Sequence, residues 1–277
     1  METVAIFGVG LIGGSFGLAL RTAGFTGEIL GVSSPNTIAK ATELRAIDAG
    51  VTAEEACRRA DLLYLSQPIG RIMDTLRRLH PKAGALVTDA GSTKNQIVST
   101  AHQYLKTGQF LGGHPMAGKE TRGAESADAR LFNGRPYVLT PGDPSEMETP
   151  AVREFLSWLD KIGAKTLILG AEEHDYLVAY SSHLPQLAST ALAAMIAESA
   201  PDAAAVAGPG LIDLTRLALS GYDLWRDILA TNPDAVEEAL NAMIGKLEHL
   251  RDNLRTREME QQFRTAATLA AALRGKA

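Results

Sequence analysis

One cysteine, two tryptophans and an aromatic share of 5% are what this chain of 277 residues has least of. Cys57 alone cannot close an internal disulfide, which argues against a disulfide-stapled secreted fold. Its Ala/Arg/Glu-rich surroundings suit a buried structural thiol better than a nucleophile. Positive charge is also short: 27 Lys and Arg against 32 Asp and Glu leave a net charge of -5. With no clustered Lys/Arg to meet a phosphate backbone, nucleic acid is not an expected partner. Long apolar runs are missing, and the first one is broken by glycines, so neither a signal peptide nor a membrane span is expected. A cytoplasmic location follows. What remains, at 45% hydrophobic and 21% charged residues, is a globular protein long enough for one large or two ordinary domains.

The first half alternates β-rich runs with amphipathic segments. Thr3–Phe7, Glu28–Ser33, Leu62–Ser66, Ala85–Asp89 and Phe110–Gly113 read as strands, which predicts an α/β fold with a doubly wound, parallel Rossmann-type sheet. Tyr137–Thr140 and Lys165–Leu169 should extend that sheet, with a helix between them that places Val152, Phe155, Leu156 and Leu159 on one face. From Ala171 the character changes to Ala/Leu/Met-rich segments broken at Pro201, Gly208-Pro209-Gly210 and Asn232-Pro233. Residues 1–170 are therefore expected to form a dinucleotide-binding domain and 171–277 an all-helical substrate and dimerisation domain. Leu184–Ala200 is apolar around most of its circumference, so it must lie among other helices, of its own chain or of a second one.

The segment after the first strand, Gly8-Val9-Gly10-Leu11-Ile12-Gly13-Gly14-Ser15, opens a helix. In that setting Gly8 allows a tight turn, Gly10 lets backbone N–H groups of Leu11 and Ile12 approach a pyrophosphate, and Gly13 lets helix and strand pack closely. A dinucleotide is the natural ligand, with Ser66, at the end of the Leu62–Ser66 run, also beside it. An NAD-binding fold usually places a carboxylate about twenty residues on, against the ribose 2′-hydroxyl. Here Ser33 fills that place, followed by Ser34, Asn36 and Thr37. Nothing repels a 2′-phosphate, so NADP is favoured and NAD stays possible. A positive partner would have to come from Lys40 or a distant arginine, and the serines also suit a helix cap at Pro35.

Three segments carry further chemistry. Ser92, in Asp89-Ala90-Gly91-Ser92-Thr93-Lys94, suits an N-cap that could also face the cofactor cleft. His114 stands between glycines and Pro115, in backbone too constrained for a generic loop. His183, in Ser182-His183-Leu184-Pro185, is followed by Arg216, a candidate carboxylate clamp or a snorkelling side chain. His174 reads as a helix-start residue, and His80, His102 and His249 as solvated. No histidine or carboxylate spacing suggests a metal site.

Together these motifs resemble the prephenate/arogenate dehydrogenases of tyrosine biosynthesis. The matching segments are GVGLIGGS at 8–15, DAGSTK at 89–94, GGHPMAGKE at 112–120, PYVLTP at 136–141, EHD at 173–175, SHLP at 182–185, DLTR at 213–216 and LWRD at 224–227. The resemblance implies a homodimer formed through the helical domain and an active site between the domains. It implies that His114 takes the proton of the substrate's ring hydroxyl, that Ser92 shares that hydroxyl, and that Arg216 binds a carboxylate. His183 and Trp225 would line the pocket. Lys119 lies where the family's side chains help choose between prephenate and arogenate; pointed inward, it would repel the arogenate ammonium. Two rival readings share the glycine turn, another two-domain dehydrogenase and a non-catalytic NADP-binding regulator. The first is not expected to carry HPMAG and SHLP together; for the second the glycine turn would suffice and the cleft residues would be incidental.

Overall fold

The computed structural model describes residues 1–119 and 121–275. Eight strands form one sheet: β1 (Thr3–Phe7), β2 (Glu28–Val32), β3 (Ala49–Gly50), β4 (Leu62–Leu65), β5 (Leu86–Asp89), β6 (Gln109–Pro115), β7 (Pro136–Thr140) and β8 (Lys165–Ile168). Their order is β3-β2-β1-β4-β5-β6-β7-β8. Val4, Ala5, Ile6 and Phe7 are all buried, as a strand covered on both faces requires. On one face lie α1 (Leu11–Thr22) and α6 (Pro150–Lys161), where Phe16 stacks on Tyr64 at 4.0 Å and Val152, Phe155 and Leu159 fill the remainder. On the other lie α3 (Ala53–Arg59), α4 (Ile69–Leu76) and α5 (Asn95–Tyr104), with Cys57 inside the same apolar cluster as Ile72 and Leu76. Burial raises the Cys57 thiol pKa, consistent with an inert structural role.

β1 to β6 are parallel, as expected, but β7 runs antiparallel to β6 and β8 then runs parallel to β7. The cause is the connection between β6 and β7. Its described residues hold only a short 3₁₀ turn, Ala124–Ser126, not the crossover helix that a parallel return needs. β3, two residues long, was beyond reach of any periodicity argument.

After β8 the chain is helical: α7 (Ala171–Val178), a π turn (Ala179–His183), α8 (Leu184–Ser199), α9 (Pro209–Thr215), α10 (Tyr222–Thr231), α11 (Pro233–Asp252) and α12 (Glu258–Arg274). The π turn has a local cause, since Pro185 has no N–H for the carbonyl four residues back and its ring crowds that carbonyl. Within one chain α8 is not enclosed. Only Gln186 and Ser189 are buried on it, and Met195 is exposed. α10 fastens the helices to the sheet region: Ile228 joins the cluster of Ile69 and Ile72, Asp227 accepts from the Gly70 N–H at 3.2 Å, and Thr231 meets Thr93 at 2.7 Å. Among the described residues no helix is long and apolar enough to cross a membrane.

Candidate active site

The strand order reverses between β1 and β4, and open α/β sheets bind ligands outside the carboxyl ends of the strands at such a point. Gly8 lies there with φ +86, a conformation side chains resist. A Cβ on Gly13 would come within 2.4 Å of the Gly8 carbonyl oxygen, whereas one on Gly10 would meet nothing within 4 Å. Gly10 caps α1 without a side-chain bond, which leaves the first-turn N–H groups of the helix without a side-chain cap beside the open space at Gly10. That cradle fits a dinucleotide pyrophosphate. Ser66 shapes it, because its hydroxyl donates to the Gly8 carbonyl at 2.9 Å.

At the end of β2, Ser33 is exposed and Ser34 caps α2 (Pro35–Glu43), accepting from the Thr37 N–H at 3.3 Å. Lys40 pairs with Glu125 at 3.4 Å. Beside Val32 opens a cavity of about 550 Å³ whose lining includes Phe7, Gln67, Arg58 and Arg71. Arginines from other elements thus flank the end of β2.

His114 sits near the end of β6, opposite Val138 of β7. A Cβ on Gly113 would lie 2.6 Å from the Asp89 carbonyl oxygen, so only glycine lets β6 approach the β5 turn this closely. The Gly113 N–H donates to Asp89 Oδ1 at 3.1 Å, and the other carboxylate oxygen takes the Gly91 N–H at 2.8 Å and the buried Lys94 ammonium. Burial lowers the Lys94 pKa, and Asp89 opposes that fall. His114 Nδ1 lies 2.8 Å from His174 Nε2, and His174 Nδ1 lies 2.8 Å from Asp175 Oδ1. Burial first, then His174, Lys94 and His183, hold the His114 pKa well below 6.5. The imidazole is neutral at neutral pH and able to accept a proton. His183, in the π turn, stacks edge-on against Trp225 at 5.9 Å, and Asn232 Nδ2 lies 3.4 Å from its Nδ1.

Of the residues singled out from sequence, His114, His183 and Trp225 come together here, and Ser92 is half-buried on the turn after β5. Ser92 does not cap α5, whose N-cap is Lys94. Asp175 of α7 serves that helix end instead, accepting from the backbone N–H groups of Lys94 and Asn95 at 2.6 and 2.9 Å. Lys119 is held by Asp128 at 3.0 Å, and Glu120 of the same motif lies outside the described residues. Arg216 is exposed in the 3₁₀ turn Arg216–Leu219, which α8 secures through Gln186 to the Leu217 carbonyl and Ser189 to the Ala218 N–H. Trp225 donates to Ser220 at 3.0 Å. The sequence reading missed Asp89, Lys94, His174 and Asp175 as members of this cluster. The adjacent His-Asp pair was its only local trace. Among the described residues no group of three or more His, Cys, Asp or Glu could hold a metal ion.

Residues 16–168 match the family model for the prephenate dehydrogenase nucleotide-binding domain, and residues 170–268 match that for the prephenate dehydrogenase dimerization domain. The prephenate dehydrogenase of Lactococcus lactis is 35% identical over 248 residues, covering 87% of this chain and 68% of that protein. The crystal structure of prephenate dehydrogenase from A. aeolicus in complex with hydroxyphenyl propionate and NAD+ superposes with a TM-score of 0.87 at 32% identity, covering 100% of this chain and 98% of that one. Synechocystis arogenate dehydrogenase superposes with a TM-score of 0.77 at 31% identity, covering 99% and 98%. With the two domain models matched in order over residues 16–168 and 170–268, the chain belongs to the prephenate dehydrogenase family.

Proposed function

We propose that this chain oxidises prephenate to 4-hydroxyphenylpyruvate with loss of CO2, using NADP in preference to NAD. His114 carries the reading: a buried, neutral imidazole at a strand end, on the same carboxyl edge of the sheet as the glycine cradle, in a chain of this family. The oxidised nicotinamide, when bound, supplies the hydride acceptor. As the C4 hydrogen leaves as hydride, His114 takes the proton of the C4 hydroxyl and Ser92 shares that oxygen. The carboxylate on C1 departs as CO2 and the ring becomes aromatic. Aromatisation drives the step, so the protein chiefly orients the reactants and holds one proton, which returns to the phenolate oxygen formed as CO2 leaves. Arg216 holds a substrate carboxylate, while His183 and Trp225 line the ring pocket.

NADP is supported by the absence of a carboxylate at Ser33 and by Arg58 and Arg71 in the neighbouring cavity. A second reading, oxidation of arogenate, draws on the Asp128 carboxylate, which offsets the Lys119 charge that would otherwise repel an ammonium. We also infer a division into a cofactor domain, 1–170, and a helical domain, 171–277, through which two copies of the chain pair.

Steady-state rates with all four pairs of prephenate or arogenate and NADP or NAD test these assignments. The highest kcat/KM is expected for prephenate with NADP. His114→Asn should lower kcat by roughly 10²- to 10⁴-fold while dinucleotide binding persists. Dinucleotide binding without turnover of either substrate would instead identify a non-catalytic regulator.

A further inference from the structure

The hydrogen bonds behind His114 run in one direction, and Asp175 sets it. Its Oδ1 accepts from the Lys94 backbone N–H and its Oδ2 from that of Asn95, groups that can only donate. The same Oδ1 faces His174 Nδ1 at 2.8 Å. With a carboxylate on that side, His174 carries its proton on Nδ1 and presents a lone pair at Nε2. That lone pair lies 2.8 Å from His114 Nδ1, which must then be the donor. The remaining nitrogen of His114, Nε2, is left with the lone pair a base requires.

We propose that His174 and Asp175 are positioning residues that hold His114 as its Nδ1–H tautomer, so that Nε2 alone receives the substrate's hydroxyl proton. The inference rests on the oxidation proposed above. In that step the O–H bond breaks and an N–H bond forms at Nε2 while the hydride goes to the dinucleotide; as CO2 leaves, its bond pair passes through the ring to the C4 oxygen, and the phenolate takes the proton back from Nε2. The new imidazolium keeps its Nδ1–H directed at His174, with the Asp175 carboxylate behind it, and no second proton need move. The groups facing His114 otherwise work against that charge: His174 and His183 as rings, and Lys94 as a cation that Asp89 partly offsets.

Capping α5 would need Asp175 alone. His174 is fully buried, yet both its ring nitrogens are engaged, one toward the cap and one toward His114. A buried imidazole is costly unless so bonded, and here its bonds connect the cap to the base.

Asp175→Asn is the discriminating variant. With its NH2 standing where Oδ1 stands, the amide oxygen keeps the Asn95 N–H bond, while the NH2 forgoes the Lys94 N–H and donates to His174 Nδ1, which reverses each bond in the chain and leaves His114 protonated on Nε2. ¹⁵N NMR at neutral pH should place the His114 proton on Nδ1 in the unaltered protein and on Nε2 in the variant. The kcat should fall by roughly 10²-fold or more, as when a catalytic histidine is held in the wrong tautomer, with cofactor KM unchanged. His174→Phe should lower kcat similarly, and His174→Gln, whose carbonyl oxygen can accept from Nδ1–H, should recover part of the loss. A proton on Nε2 of His114 in the unaltered protein would overturn the proposal even where the variants fail to fold. So would full activity in both Asp175→Asn and His174→Phe. An Nδ1–H tautomer in a protein that turns over neither substrate would support the tautomer assignment while refuting the reaction.

Discussion

His183, proposed above to line the substrate pocket, also bears on stability. It is 1% exposed, and burial pulls its pKa from 6.5 to about 4 against the opposing pull of Asp175. The unfolded chain therefore binds a proton near pH 6.5 that the folded protein refuses until about pH 4. Its contribution to stability is complete above pH 6.5 and is lost progressively as the pH falls toward 4, by ~3 kcal/mol for that displacement. His114, displaced in the same direction, adds to the loss. Urea unfolding at pH 7 and pH 4.5 should show a smaller acid-induced loss for His183→Gln than for the unaltered chain; equal losses would contradict the assignment. His183 and His114 were legible in sequence because proline and glycine constrain the backbone around each. His174 was not, since its meaning depends on a contact with a ring 60 positions away in sequence.

At the scale of elements, the turn into α1 separates two duties that glycine performs there. A Cβ on Gly10 finds open space, while one on Gly13 strikes the Gly8 carbonyl and the Ser66 hydroxyl, both at 2.4 Å. Gly10→Ala should therefore fold with an unchanged melting temperature yet raise the cofactor KM about tenfold or more, by occupying the approach to the helix N-terminus. Gly13→Ala should cost about 1–3 kcal/mol of stability through overpacking. Thermal melts and dinucleotide titrations of the two variants check this; a destabilised Gly10→Ala with normal cofactor binding would contradict it. The strands themselves were readable because buried parallel strands are continuous β-branched and aliphatic runs. The reversal at β7 was not, because side-chain pattern encodes which faces are covered and not the direction of the chain. The cap of α5 was misread for a related reason: Ser92 is the residue type that caps locally, but Asp175 arrives from another element and takes the position.

At the scale of the whole molecule, the two halves of the chain differ in how much core they own. The sheet is enclosed by two large apolar clusters, whereas the cluster that the helices build among themselves has just Ala179, Val236 and Ala239 as its buried members, among the described residues. α12 has no buried residue, and Phe263, Leu269 and Leu273 on it are 70%, 63% and 61% exposed. A helix of 17 residues is marginal in water without packing, even when Ala-rich. The apolar circumference of α8 already required neighbours, and the described residues of one chain do not enclose it; the pairing of two copies proposed above, through a region that matches a dimerization-domain model, would supply the remainder. Each Phe or Leu enclosed there would contribute ~1.5–3 kcal/mol, which a buried glutamate would reverse. Phe263→Glu combined with Leu269→Glu should convert a particle of twice 29.4 kDa into one of 29.4 kDa in light scattering at micromolar concentration, with lower helix content because α12 loses its support. Retention of the larger mass by the double variant, or a single-chain mass for the unaltered protein, would rule out pairing through this face.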